Sequence, residues 1–202
     1  MPLARESRMP APSILSRPRY APFELMPAAR SHLVIAESVE NLPELPPRSD
    51  MDTPVELWTI VANSGASGVE HPSQSIMVQR FRSHAHLSDR LGHRLEHESI
   101  GLHLYAIGTE AFIWDIAKLA RLFGMDRDEY HLSHQGSEKR RVYCVHCRSM
   151  NENVRTNIAI CGGCGAHLQV RDHFSKRLGA FMGVQADAEC PGELPQIEEM
   201  YP

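Results

Sequence analysis

Apolar residues in the first two thirds of the chain occur in short runs that are separated by polar and proline-rich stretches. The runs at residues 31–36 and 55–62 are dense in β-branched and aromatic side chains, as is typical of buried strands. Similar runs predict further strands at residues 75–81, 100–107 and 129–133.

Between these strands the apolar spacing changes to a helical period. Leucines at every fourth position over residues 87–98 predict a helix with one narrow apolar face. A second helix is predicted from Glu110 to Phe123, with Thr109 at its N-cap and Gly124 closing it. Strands that alternate with helices of this length predict a three-layer α/β domain with a mostly parallel sheet.

Proline content and cysteine position divide the chain into parts. Six prolines in residues 1–30 exclude a sustained helix and predict an arm that is mobile or wraps a partner. The α/β domain is expected at residues 31–134, and a four-cysteine metal-ribbon domain at residues 140–185. Residues 186–202 are expected to form a flexible tail.

Four cysteines carry the strongest chemical signal in the chain. They form two C-x-x-C pairs with thirteen residues between the pairs, which suits two tight knuckles around one tetrahedral ion. The predicted ligands are Cys144, Cys147, Cys161 and Cys164. Closed four-thiolate sites are usually structural zinc, so we predict Zn²⁺; a rubredoxin-like iron site has the same ligand set and stays open as the alternative. Zinc would make the module a folding element, whereas iron would make it a one-electron carrier.

The sequence around the cysteines predicts how the module folds. The residues between the knuckles are expected to form a short hairpin, with Val154, Ile158 and Ile160 as a small core over the metal. A strand is expected next, followed by Asp172 as an N-cap and a helix at residues 174–182. The predicted fold class is therefore α/β, with a mostly parallel sheet domain, a C-terminal rubredoxin-like zinc ribbon and a helix.

Composition and charge narrow the class of protein. The formal charge is −4 and 42% of residues are hydrophobic, so the chain has enough apolar residues for a core and no overall basic field for nucleic acid. No apolar stretch predicts a membrane span or a secretory signal, so we expect a cytoplasmic protein without membrane contact. A nucleic-acid-binding ribbon stays open as an alternative because basic residues surround the knuckles: Arg140, Arg141, Arg148, Arg155, Arg171, Lys176 and Arg177.

No catalytic frame is recognisable in the sequence, which has no nucleophile elbow, Walker loop or G-x-G-x-x-G. His93, Glu96 and His97 match the zinc motif H-x-x-E-H, but we interpret them as an exposed helix face because no third ligand can be named. The loop after the first strand begins with Glu37, which would repel a pyrophosphate. We therefore assign no catalytic residue, and the residues that would bind a cofactor stay unknown.

The C-terminal module closely resembles one family. The resemblance rests on the motif YCVHC at residues 143–147 and on the run from CGGCG at residues 161–165 to Val184. The family is the small, zinc-ribbon-tailed subunit of bacterial dimethylamine monooxygenase. The upstream region is similar in layout to the terminal half of a ferredoxin-reductase NADP domain, with the sequence IGT at residues 107–109 where that family carries Cys-Gly-Pro.

The resemblance implies membership of a multisubunit enzyme that oxidises dimethylamine to methylamine and formaldehyde with O2 and electrons from NADPH. It also implies two kinds of partner: a heme subunit that activates oxygen, and a reductase subunit that carries FMN and an iron–sulfur cluster. This chain lacks the motifs for either task. We therefore expect an accessory subunit that braces the heme and reductase subunits and is not catalytic alone.

Overall fold

The chain folds around two five-stranded β-sheets. The structure is a computed structural model and describes residues 16–46, 52–61, 78–98 and 100–202. The first sheet and its helices comprise β1 (Ser31–Ala36), β2 (Val55–Ile60), β3 (Val78–Phe81), α1 (His84–Glu96), β4 (Leu102–Gly108), α2 (Glu110–Leu122) and β5 (Tyr130–His134). The second sheet comprises β6 (Arg140–Cys144), β7 (Met150–Val154), β8 (Ile158–Ile160), β9 (His167–Ser175) and β10 (Ala180–Gln185).

The strands of the first sheet are all parallel, in the order β3-β2-β1-β4-β5. This is the order of a doubly wound sheet, in which the chain winds outward in both directions from the centre. β1 and β4 are neighbours where the winding reverses, and they pair from Ser31↔Leu102 to Ala36↔Ile107. The prediction of a parallel α/β sheet is confirmed. The start of the strand predicted at residues 75–81 lies outside the described residues.

The two faces of this sheet are covered differently. Both helices pack on one face, where Leu33 and Leu104 of the sheet meet Leu91 of α1 and Ile113 of α2 in one buried cluster. On the other face, irregular chain on either side of β1 covers a second cluster, which consists of Val34, Leu45, Val55, Leu57, Tyr105 and Ile107 with Phe23, Leu25, Leu42 and Val78. In the described residues the third layer is therefore irregular chain and not helix.

The first helix starts a turn earlier than the leucine spacing indicates. The Ser83 side chain accepts a hydrogen bond from the backbone N–H of His86, which is the bond of an N-cap residue. α1 therefore begins at His84, before the first buried leucine, and its buried face consists of Leu87, Leu91, Gly92 and Leu95. Gly92 leaves room for the Phe123 ring, which would lie 3.4 Å from a Cβ at this position.

The second sheet is mixed, in the order β7-β6-β10-β9-β8. Only β6 and β10 are parallel neighbours. β7 and β8 lie at opposite edges, so the hairpin predicted between the knuckles is wrong. Val154 and Ile158 are buried as expected, but Ile160 is 69% exposed because the short edge strand β8 has no neighbour over that side chain.

The helix predicted at residues 174–182 is also wrong. This segment is the end of β9, a turn, and the start of β10. Phe174 and Phe181 are register partners across this hairpin, with ring centroids 4.9 Å apart. Their separation in sequence mimics a helical period, but Gly179 lies between them in the left-handed region at φ 63° and ends the turn. Asp172 is not a cap; its carboxylate pairs with Arg140.

The two sheets share a continuous apolar core. Trp114 of α2 packs on Phe174 of β9, with ring centroids 5.1 Å apart. Beside this contact, Asp115 of α2 accepts two hydrogen bonds from the Arg141 guanidinium, at 2.7 and 2.8 Å. A polar clamp thus lies next to an aromatic one, and both hold the second sheet against α2.

The described arm and tail both pack on the sheets. From the arm, Ser16 Oγ donates to the Asp172 carbonyl at 3.1 Å, and Tyr20 Oη donates to Glu110 at 2.6 Å. From the tail, Tyr201 is 7% exposed and its ring stacks on the Arg140 guanidinium, 3.9 Å away. The end of the segment that we expected to be a flexible tail is therefore packed. None of the helices in the described part of the chain has the length and apolar character to cross a membrane.

Candidate metal centre

Each pair of cysteines lies in a turn at the end of a strand. Cys144 is the last residue of β6, and Cys147 follows in the turn before β7. Cys161 follows β8 directly, and Cys164 precedes β9. The two turns therefore come from the two edges of the second sheet.

The backbone of the two turns is nearly identical. The N–H of Arg148 donates to the carbonyl of Cys144, and the N–H of Gly165 donates to that of Cys161, both at 2.9 Å. The residue after the second cysteine is left-handed in both turns, with φ 66° at Arg148 and 75° at Gly165. Glycine adopts this conformation without strain, whereas arginine at the equivalent position does not. This shared geometry turns both thiols of each pair in one direction.

The four sulfur atoms converge on one point. Cys144 Sγ lies 3.9 Å from Cys164 Sγ, and Cys147 Sγ lies 3.5 Å from Cys161 Sγ; all four lie within 4.8 Å of one another. Four thiolates at about 2.3 Å from a tetrahedral zinc would be about 3.8 Å apart, so the arrangement fits one ion. These separations are far above the roughly 2.05 Å of a disulfide bond. Among the described residues, no other group of three or more potential ligands has this geometry.

Neighbouring polar groups support the second knuckle. The Gly163 N–H points at Cys161 Sγ at 3.4 Å, and Asn151 Nδ2 approaches the same sulfur at 3.8 Å. The side-chain oxygen of Asn151, Oδ1, also accepts a hydrogen bond from the Gly162 N–H at 2.8 Å. Asn151 belongs to β7, so its side chain joins the two edges of the sheet beside the sulfurs. Sequence reasoning missed Asn151 because nothing in its local sequence marks a contact with a distant knuckle.

The first knuckle contains an acidic thiol. The Ser149 hydroxyl lies 3.3 Å from Cys147 Sγ, and the hydroxyl and backbone N–H of Ser149 lower the pKa of Cys147 to about 6. A thiol of this acidity is largely thiolate at neutral pH, which is the form that binds a metal. Cys144 and Cys161 are buried, whereas Cys164 is exposed, so one side of the cluster faces solvent.

The H-x-x-E-H match lies on the surface of α1, and among the described residues no third potential ligand joins it. Its residues lie on the outer face of α1, where His93 Nε2 is 4.0 Å from Asp89 and His93 Nδ1 is 3.9 Å from Glu96. His97 Nδ1 lies 3.0 Å from the carbonyl oxygen of His93, one turn back in the same helix. These side chains interact along the helix surface, as the sequence interpretation expected.

The carboxyl edge of the parallel sheet is closed by the chain itself. Ligands of doubly wound sheets bind where β1 and β4 end, against the N-terminus of the following helix. Here Glu37 fills that place: its carboxylate accepts the backbone N–H of Thr109 at 2.6 Å and the Thr109 hydroxyl at 3.0 Å. A Cβ at Gly108 would lie 2.5 Å from the Cβ of Glu37, so only glycine allows this contact. Glu37 therefore supplies the negative charge at the N-terminus of α2.

Three of the seven basic residues around the knuckles have acidic partners. Arg140 contacts Asp172 at 2.7 Å, Arg141 contacts Asp115 and Glu152, and Arg155 contacts Glu199. Because acidic partners neutralise these guanidinium groups, they do not form the unpaired basic face on which a nucleic acid binds. This leaves fewer cations near the knuckles for a nucleic acid than the sequence indicates.

The fold and the cysteine cluster define an α/β protein with a doubly wound parallel sheet and a C-terminal four-cysteine module. Sequence comparison identifies the family to which this chain belongs. The model of the family "Dimethylamine monooxygenase subunit DmmA-like, N-terminal domain" matches residues 12–130, and that of its C-terminal domain matches residues 141–184. The heme-dependent oxidative N-demethylase delta subunit of Ectopseudomonas mendocina (strain ymp) is 34% identical over 176 residues, which cover 87% of this chain and 91% of the relative. The chain belongs to the DmmA-like family of dimethylamine monooxygenase subunits.

Two solved structures are similar to this chain at a lower level. A phthalate dioxygenase reductase has a TM-score of 0.40 at 13% identity and covers 65% of this chain. A siderophore utilization protein from T. fusca has a TM-score of 0.36 at 14% identity and covers 55%. The chain spans 46% of either structure, and at this level neither bears on its function.

Proposed function

We propose that this chain is the accessory subunit of a multisubunit monooxygenase that demethylates dimethylamine to methylamine and formaldehyde, with O2 and electrons from NADPH. Its family membership and its similarity to a delta subunit over nearly the full length of that relative support this role. In this proposal a heme subunit activates oxygen, and a reductase subunit with FMN and an iron–sulfur cluster delivers electrons. The chain braces these two partners and performs no catalytic step.

The single observation that carries the bracing role is the closed cluster of four thiols. A four-thiolate site leaves no open coordination position for a substrate, so a redox-inert ion such as zinc would act there on folding and not on chemistry. We propose that Cys144, Cys147, Cys161 and Cys164 bind Zn²⁺. The ion would tie the turn after β6 to the turn after β8 and so fix the two edges of the second sheet to each other.

The carboxyl edge of the first sheet supports the same conclusion, because Glu37 occupies it. Because Glu37 already satisfies the N-terminus of α2, a pyrophosphate there would meet a carboxylate at the position it needs. We therefore propose that electrons from NADPH enter through the partner reductase and not through this chain. Cysteines that bind a metal must stay reduced, as thiols do in the cytoplasm, where we place the complex.

Omission of the subunit tests the proposal. The native complex should contain this chain, and a complex that lacks it should lose its heme or reductase subunit and most of its N-demethylase activity. A complex that keeps its composition and activity without this chain contradicts the bracing role. Iron in place of zinc in the isolated chain, with a visible absorption band, would instead support a one-electron carrier.

A further inference from the structure

A basic groove runs along the described arm, on the side of the molecule where the two sheets meet. The groove has a volume of about 480 Å³ and lies between arm residues 17–26, the edge strand β5 and the β9–β10 turn. Four cations line it: Arg17 and Arg19 from the arm, Arg127 before β5, and Lys176 from the turn. Glu24 is the one carboxylate in its lining as the structure describes it.

The charge of this groove opposes the charge of the whole chain. The chain has a formal charge of −4, whereas the lining carries four cations and one acid. No ion pair with a carboxylate holds any of these four cations within the described ranges, in contrast to Arg140, Arg141 and Arg155 near the knuckles. Like charges that line one groove without acidic partners repel one another, and this arrangement favours an anionic ligand.

The arm holds the groove open in a defined shape. Besides the bond from Ser16, the Tyr20 hydroxyl accepts from Trp114 Nε1 at 2.8 Å, and the carbonyl of Ala21 accepts from Ser133 Oγ at 3.0 Å. Further along, the N–H of Met26 donates to Tyr105 Oη at 2.9 Å. The arm is thus attached at four points to both sheets and to α2. The ordering cost of presenting Arg17 and Arg19 is met on folding, before any ligand binds.

The shape of the groove favours an extended chain over a small ion. Its lining includes eight of the ten arm residues from Arg17 to Met26, and its cations are exposed and spread over three segments. A small anion would need convergent donors at one point, whereas spaced long side chains suit carboxylates spread along a peptide. Single-stranded nucleic acid would need free aromatic faces for its bases, but Trp114 is 4% exposed. The rings of Tyr20 and His131 already pack on His134 and Tyr105.

We propose that this groove binds an acidic segment of another subunit of the complex. The inference takes from the proposed function only that the chain has partner subunits. The carboxylates of the segment lie between Arg17 and Arg19 on one side and Arg127 and Lys176 on the other. The contact is electrostatic and solvent-accessible, so it accelerates and orients association and weakens as salt is added.

Charge reversal in the native complex provides the first test. The double variant Arg17→Glu, Arg19→Glu should associate with the other subunits at least about tenfold more slowly at low salt and lose most of its salt dependence. The matched control, Arg82→Glu with Arg90→Glu, makes the same change in net charge at exposed positions before and within α1 and should behave as wild type. Far-UV circular dichroism and metal content must be equal in both variants.

Photo-crosslinking in the assembled complex identifies the occupant. A photoreactive phenylalanine analogue in place of Glu24 leaves all four cations intact and should crosslink to a partner segment that is rich in Asp and Glu. The same analogue in place of Asp89 on α1 should give no such product.

Several outcomes would overturn the inference. They are an equal association rate for the two double variants, a crosslink to a segment without acidic residues, and binding of a single-stranded oligonucleotide or inorganic phosphate that the Arg17→Glu, Arg19→Glu variant loses. If the wild-type chain fails to co-purify with any other subunit, the proposed function itself fails. If it co-purifies and the reversal has no effect, only the groove assignment fails.

Discussion

Different interactions stabilise the two sheets of this protein. In the first sheet, fully buried side chains on both faces of β1 and β4 form the core, among them Leu33, Val34, Leu104 and Tyr105. The second sheet buries fewer large side chains, and its edges approach each other at the cysteine cluster and at Asn151. Apolar burial therefore stabilises the first sheet, and in the proposed function metal binding at the cysteines stabilises the second. On this proposal, loss of the ion should disorder the second sheet and leave the first folded.

The largest expected effect is loss of a cysteine ligand. Cys144→Ser should abolish metal binding and unfold the second sheet, because binding and folding are coupled in small metal modules with apparent binding energies on the order of 10 kcal/mol. Metal analysis and near-UV circular dichroism would measure it. The helices on the first sheet should keep their far-UV circular dichroism signal.

Cys190 provides the matched control for this change. It is exposed and lies outside the cluster, so Cys190→Ser should leave metal content and melting temperature unchanged. Full retention of metal by the Cys144→Ser variant would show that the cluster does not depend on four thiolates.

The second effect concerns the core of the first sheet. Leu104→Ala should lower the free energy of unfolding by about 2–5 kcal/mol, because it opens a cavity at a fully buried position between the sheet and its helices. Chemical denaturation would measure the loss. The bound metal per chain should not change, and parallel loss of metal would mean that the two sheets unfold as one unit.

Loss of the ion pair between Asp115 of α2 and Arg141 of the second sheet is expected to have an intermediate effect. Burial of Asp115 raises its pKa, but hydrogen bonds from Arg141 and Lys118 outweigh burial and hold the pKa below its usual range. A carboxyl with a depressed folded pKa stabilises the protein above its unfolded pKa, about 3.9, and this contribution is lost as the pH falls through the folded value. Asp115→Asn should therefore cost about 1–3 kcal/mol near pH 7.

The pH dependence gives the control for the clamp. The difference in unfolding free energy between wild type and Asp115→Asn should be constant above roughly pH 5 and shrink below roughly pH 4. Asp128→Asn, at an exposed position with no ion pair among the described residues, should show no such difference. A difference that is independent of pH would mean that the carboxylate charge of Asp115 does not matter.

The smallest effect distinguishes the two knuckles. Arg148→Gly should stabilise the protein by about 0.5–1 kcal/mol, because it relieves a left-handed arginine while it adds freedom to the unfolded chain. Gly165→Ala should destabilise it by a similar amount at the equivalent position. Thermal melts of the metal-bound forms would measure both, and equal signs would show that the knuckles do not share one backbone geometry.

The sequence predicted those features that depend on local pattern. The apolar runs predict the parallel strands, and the cysteine spacing predicts the cluster. The acidic residue Glu37 predicts that the loop after β1 repels a pyrophosphate. The errors arose where distant contacts decide the structure. Phe174 and Phe181 have helical spacing, yet they pack on each other across a hairpin, and Phe174 also packs on Trp114 of α2.

Contacts between distant segments had no signal in the sequence. Asn151 supports a knuckle on the opposite edge of its sheet, and Tyr201 stacks on a guanidinium 61 residues away. The groove along the arm likewise combines residues from four segments: the arm, α2, the chain from Arg127 to Ser133, and the β9–β10 turn. A local sequence pattern predicts one segment at a time. It therefore predicts the strands, the helices and the cysteine cluster, but not the surfaces that these elements form together.

The account is tested most directly by the metal content of the native complex after its subunits are separated. Elemental analysis and visible absorption of this chain alone should show about one zinc per chain, no iron and no visible band, with all the iron on the other subunits. Iron bound to this chain, or a complex isolated without it, would contradict a structural metal centre in an accessory subunit.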